Sequence, residues 1–108
     1  MKKNRKICVF PNDPIISYFE KGDIKNRYFN PENFFDEVHI ISFIDNDIDV
    51  EKVQVIAGDA TLKIHNMGKI EIKKRKDFVD NIIQVVKSIK PDVIRAYNSR
   101  LEGWFAAN

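Results

Sequence analysis

The chain has 108 residues, 44% of them hydrophobic and eight of them Phe, with 18 Lys plus Arg against 16 Asp plus Glu for a formal net charge of +2. A chain of this length buries roughly two-thirds of its unfolded surface, which suits one ordinary domain and argues against both a disordered chain and a pair of domains. The near balance of charge argues against a dedicated nucleic-acid binder, and the one cysteine, Cys8, cannot form an internal disulfide, as fits a reducing compartment.

The basic start, Met1-Lys2-Lys3-Asn4-Arg5-Lys6, resembles the opening of a secretory signal, but the apolar run behind it is only Ile7-Cys8-Val9-Phe10 and stops at Pro11-Asn12-Asp13-Pro14. No apolar run approaches the roughly 18 residues of a membrane-spanning helix, so the expected location is cytoplasmic. Ile7 to Phe10 predicts a strand buried on both faces. Ile15 to Phe19 and Ile24 to Phe29 predict two short helices separated by Gly22-Asp23, and Asn30-Pro31 has the form of a further helix start, with Asn30 as cap.

Glu37 to Phe43 predicts a second strand buried on both faces, ended by the acidic turn Asp45-Asn46-Asp47. From Val53 to Ile72 apolar residues alternate, and two readings stand. One is a hairpin turning at Gly58-Asp59; the other is one more sheet strand around Thr61 to His65, with the preceding run as an edge. Asp77 to Ile89 predicts the clearest helix, because Phe78, Ile82, Val85, Val86 and Ile89 share one face, and Pro91 disfavours helix at Lys90. Val93 to Tyr97 predicts a third strand apolar on both faces. Such strands need cover on both sides, hence an α/β fold with a mostly parallel sheet and helical crossovers, with or without the added hairpin. Asn98 or Ser99 begins a last short helix bearing Leu101, Trp104 and Phe105. A helix this short is marginal alone, so it either docks as a terminal cap or marks the N-terminal piece of a longer domain, the favoured expectation. In a piece, Trp104 would present an exposed face for self-association.

Motifs exclude more than they assign. The four glycines, at 22, 58, 68 and 103, form neither the dinucleotide fingerprint nor a phosphate loop, and there is no C-x-x-C. His39 and His65 lack metal-ligand spacing and are read as strand residues, so neither metal nor cofactor is expected. In open parallel sheets ligands bind beyond the carboxyl ends of the strands. Those ends carry Asn12 and Asp13 after the first strand, and Arg95, Tyr97, Asn98 and Arg100 at the last, with donors suited to phosphate or sugar hydroxyls. The plainer alternative is that Tyr97 packs, Asn98 caps a helix and Arg100 is solvated. Arg95, a charge inside an apolar run, has the further alternative of a structural salt bridge to Asp59 or Glu102. Lys73-Lys74-Arg75-Lys76, the one dense charge run, is either a solvated loop or a contact for an anionic membrane surface.

Several of these stretches together resemble the start of a GT-B-fold glycosyltransferase of family 4 (glycosyltransferase group 1). They are Lys6-Ile7-Cys8-Val9-Phe10, Tyr18-Phe19-Glu20-Lys21-Gly22, Tyr28-Phe29-Asn30-Pro31, Phe35-Asp36-Glu37-Val38-His39-Ile40-Ile41-Ser42 and Lys90-Pro91-Asp92-Val93-Ile94-Arg95-Ala96-Tyr97-Asn98. The resemblance implies a partial Rossmann-like domain over 1–108, belonging to the acceptor-side half of an enzyme that moves a sugar from a nucleotide-sugar donor to an acceptor hydroxyl. The family's active-site His and its E-x7-E carboxylates have no counterpart here, so this chain is expected to be inactive alone and to offer no catalytic residue. Asn12, Asp13, Arg95, Tyr97 and Asn98 are its expected substrate-binding residues, and donor and acceptor, sugar or lipid-linked, its expected partners in the full enzyme. The competing expectation is a stand-alone α/β binding or protein-interaction domain without catalysis.

Overall fold

The computed structural model describes residues 4–68 and 72–97, Ile72 by its backbone alone. Four strands form one all-parallel sheet: β1 (Lys6–Phe10), β2 (Glu37–Ser42), β3 (Thr61–Asn66) and β4 (Val93–Ala96), in the order β3-β2-β1-β4. The two central strands are β1 and β2, and they are buried almost throughout, as their unbroken apolar runs predict. Parallel pairing requires crossovers. Helix α1 (Ile15–Glu20) lies between β1 and β2, α2 (Val50–Val53) with the 3-10 turn Gln54–Ala57 between β2 and β3, and α3 (Arg75–Ile89) between β3 and β4.

The crossovers cover opposite faces. Ile15, Val53, Ile56 and Ala57 pack with Ile7, Val9, Val38 and Ile40 on one face, while Phe78, Ile82 and Ile89 of α3 pack with Cys8, Phe10 and Ile41 on the other. The α3 stripe is the one its periodicity predicts. Its end is also where Pro91 places it: Lys90 leaves the helix at φ 56°, ψ 58° while its N–H still reaches the Val86 carbonyl at 3.1 Å. Asp92 then sets β4 against β1, accepting the Lys6 N–H at 2.9 Å and donating its own N–H to the Lys6 carbonyl at 2.8 Å.

Several expectations are corrected. Gly58-Asp59 does not turn a hairpin, and no hairpin is added to the sheet among the described residues. The run before Gly58 winds helically, burying Val53, Ile56 and Ala57 and leaving Val55 49% exposed. Over so short a run an alternating period and a helical one fit the same residues, and packing on the sheet selects the second. The strand reading of Thr61 to His65 holds, as β3, without the preceding run as an edge. Ile24 to Phe29 forms turns rather than a helix, because its amides bond elsewhere: Arg27 N–H to the Val55 carbonyl at 2.6 Å and Phe29 N–H to the Ile56 carbonyl at 2.9 Å.

Asn30 starts no helix. It is fully buried, donates to the Phe35 and Ala57 carbonyls at 3.1 and 2.9 Å and accepts the Phe35 N–H at 3.0 Å, pinning this loop to the 3-10 turn. The last strand is not buried on both faces. Among the described residues it is an edge, with Val93 42% and Ile94 53% exposed. The expected terminal helix, with Leu101, Trp104 and Phe105, lies outside the described residues. No helix among the described residues is long and apolar enough to cross a membrane.

Candidate functional site

The strand order places a reversal beside β1. The chain steps outward from β1 to β2 to β3, then crosses the whole sheet through α3 to pair β4 on the other side of β1. Where successive crossovers leave in opposite directions, the loops beyond the carboxyl ends diverge and leave a crevice. Here that place is the bend at Asn12 and Asp13 after β1, beside Tyr97, which follows β4 and donates its N–H to the Phe10 carbonyl at 2.9 Å.

An aromatic row lies there. Tyr18 of α1 and Tyr28 have ring centroids 6.2 Å apart, Tyr28 meets Phe29 edge-on at 4.8 Å, and Phe29 meets Tyr97 edge-on at 5.8 Å. Phe29 is buried and acts as the floor, whereas Tyr18 and Tyr97 are half-buried and Tyr28 is exposed. A shallow cleft beside the row is lined by Ile15, Tyr18, Asp23, Ile24, Tyr28 and others. The Arg95 guanidinium stands 5.0 Å from the centre of the Tyr97 ring, a cation–π arrangement.

The phenols share one electrostatic environment. Burial raises the Tyr18 pKa, and the neighbouring Tyr28 and the Asp13 carboxylate push the same way, partly opposed by a hydrogen bond with the Asp13 backbone. Burial also raises that of Tyr97, against the Arg95 charge. Both stay protonated near neutrality and can donate as well as accept hydrogen bonds. Arg95 makes no ion pair with any carboxylate among the described residues, and the expected bridge to Asp59 is not formed. Asp59 is instead engaged with Asn33, at 2.6 Å through its carboxylate and 2.9 Å through its N–H. The other suggested partner, Glu102, lies outside the described residues.

Of the expected site residues, Asp13, Arg95 and Tyr97 therefore meet at one end of the sheet through Tyr18 and Tyr28. Asn12 is exposed in the same bend, with no side-chain hydrogen bond among the described residues. Asn98 and Arg100 lie outside the described residues. Tyr18, Tyr28 and Phe29 were not foreseen as site residues. Their rings come from the short helix α1 and from the turns that follow it, and only the strand order brings those segments beside β4.

The donors of α1 are already used. Asp47 accepts the Ile15 and Ile16 N–H groups at 2.8 and 2.7 Å, together with the Ser42 hydroxyl at 2.7 Å. A larger hollow at the opposite end of the sheet is lined by Arg5, Glu32, Phe34, Asp36 and Asp59 among others, but its polar groups largely satisfy one another. Lys73 and Lys74 form a 3-10 turn with Ile72, and Arg75 and Lys76 open α3; all four basic residues are exposed. No group of three or more His, Cys, Asp or Glu among the described residues could hold a metal ion. Comparison with known proteins finds no matching family, no similar curated protein and no similar solved structure.

Proposed function

We propose that this chain is the acceptor-side part of a Rossmann-like domain in a sugar-transferring enzyme of the GT-B kind, and that it binds an acceptor carbohydrate at the Tyr18–Tyr28–Phe29–Tyr97 row. The observation that carries this reading is the row itself: aromatic faces and phenol hydroxyls at the strand reversal, with Asp13 and Arg95 at hand. Aromatic faces suit the apolar face of a sugar ring, while phenols and carboxylate suit its hydroxyls. Arg95, without a carboxylate partner among the described residues, suits an anionic substituent on that sugar.

Two further features support the reading. The α1 amides that could meet a diphosphate are already occupied by Asp47, which fits an acceptor side better than a donor side. The apolar residues Val93 and Ile94, exposed along β4, suit continuation of the sheet by another strand. In the reaction, the bond from the donor sugar to its diphosphate breaks and one to the acceptor hydroxyl forms. Stabilising the leaving diphosphate is the main electrostatic task, and it falls to groups outside this chain. The exposed run from Lys73 to Lys76 would hold such an enzyme against an anionic membrane surface carrying a lipid-linked acceptor.

The test is a titration of the chain with neutral and anionic monosaccharides at millimolar concentration, followed by saturation transfer and by the ring resonances of Tyr18, Tyr28 and Tyr97. Binding is expected to shift those rings, and Tyr28→Ala and Arg95→Gln should each weaken it several-fold. Undisturbed rings with every sugar overturn the reading. Sugar transfer from a nucleotide-sugar by this chain alone overturns the acceptor-only assignment. A second reading, a binding module without catalysis, draws on the same exposed β4 edge as a docking strand for a partner. It gains if β4 amides become protected on binding a protein while the tyrosines ignore sugars.

A further inference from the structure

The face of the sheet under α3 carries a polar chain that the candidate site does not use. Glu37 and His39 point to this face from β2, and His65 points to it from the edge strand β3, in register with Ile41. His39 Nε2 lies 2.9 Å from Glu37 Oε1, and His39 Nδ1 lies 3.0 Å from His65 Nε2. The imidazole ring centres lie 5.2 Å apart with 15° between their planes. His39 is 5% exposed, and His65 is half-buried.

The chemistry of this chain limits its protons. An ionised carboxylate only accepts, so His39 Nε2 carries a hydrogen toward Glu37. The contact between the two rings needs one hydrogen and one lone pair. The neutral pair has both, and so does the pair with one added proton. With both rings cationic, two N–H groups face each other across 3.0 Å and the bond is lost.

We propose that the His39–His65 contact is a proton-operated latch that fastens β3 to β2, closed in the neutral and singly protonated pair and opened by the second proton. Among the described residues, the charged groups facing it are few. From β1 comes Lys6, 3.9 Å from Glu37, beside the neutral thiol of Cys8, and Asn4 donates to Glu37 at 2.6 Å. From β3 comes Lys63, opposite His39 in register. The α3 side chains packed on this face are apolar, Phe78, Ile82, Val85, Val86 and Ile89, and the helix's charged residues are exposed. Burial lowers the His65 pKa below its ordinary 6.5, with His39 and Lys63 acting in the same direction. Opening therefore falls on the acid side of the ordinary histidine range.

β3 is the strand such a latch would matter to. Among the described residues it pairs on one side only, and Leu62 is its one buried residue. It ends at Asn66, which accepts the Asp47 N–H at 3.0 Å, so release of β3 reaches the residue that holds α1.

The experiment is a histidine ring titration of the intact chain by NMR from pH 8 to 4, with amide-exchange protection measured alongside. Two separated protonation steps of the pair are expected, with the His65 step below the ordinary value. Protection over Thr61–Asn66 should fall about tenfold or more between pH 7 and 5 relative to Lys6–Phe10. In His65→Gln, which cannot take the second proton, that selective loss should vanish. Rings titrating together at the ordinary value overturn the proposal, as does selective loss that persists in His65→Gln. If that variant does not fold, the wild-type ring titration and protection profile decide alone.

Discussion

Asp47 caps α1 from 32 residues away: its Oδ2 accepts the Ile15 N–H at 2.8 Å. The same carboxylate takes the Ile16 N–H at 2.7 Å, the Ser42 hydroxyl at 2.7 Å and the Ile48 N–H at 2.7 Å. It joins the end of β2 to the start of α1, whose own N-cap position is Pro14, a residue with no side-chain donor or acceptor to offer. The helix that carries Tyr18 into the candidate site is thus positioned by a residue beyond the next strand.

Replacing Asp47 by Ala leaves these donors unsatisfied in a partly buried place, and should cost about 2–3 kcal/mol in urea unfolding. Asp47→Asn should cost less, since one oxygen still accepts while its NH₂ faces donors. It should also disturb the Tyr18 ring resonance more than that of Phe43, on the opposite face. Unchanged stability in both variants would show that α1 is held by its apolar contacts alone.

Glu37 gives a pH dependence of known sign. Hydrogen bonds from Asn4 and then His39 hold its pKa below the ordinary 4.5, with Lys6 contributing. A carboxylate depressed in the folded state stabilises above its unfolded value, and that contribution is lost as pH falls through the folded one. Glu37→Gln should therefore be less stable than wild type near neutrality, by about 1 kcal/mol given its partial exposure to solvent. The difference should close as the pH is lowered below about 4. Parallel unfolding curves at pH 7 and pH 3, with the gap unchanged, would contradict this.

Cys8 should be silent in the native state. It is fully buried in β1, and burial pushes its thiol pKa up to about 12, so thiolate, the reactive form, is scarce. A disulfide reagent at pH 8 should modify it only as fast as the chain unfolds, and promptly in denaturant. Rapid stoichiometric labelling of the folded chain would show that the face under α3 opens far more readily than its packing implies.

The candidate site was legible in part. Asp13, Arg95 and Tyr97 follow from the rule that strand ends carry ligands, because β1 and β4 announce themselves by apolar runs beside turn residues. Tyr18 and Tyr28 carry no such mark. Between Pro11 and Asp36 the chain is mostly turns, and its order comes from long-range bonds such as Arg27 to Val55 and Asn30 to Ala57, which leave no periodic pattern. The polar pairs were equally hidden: His39 and His65 become partners only through the parallel register of β2 and β3.

By itself, the sequence determined the α/β class, the two buried central strands and α3 with its apolar stripe, because period and punctuation are local consequences of backbone geometry and burial. The tertiary structure alone decided that Val53 to Ala57 winds rather than extends, that β4 is an exposed edge, and that Asp47 serves α1. Each of these depends on which surfaces the strand order brings together, and that order is settled by packing across the whole sheet rather than by any run of neighbouring residues.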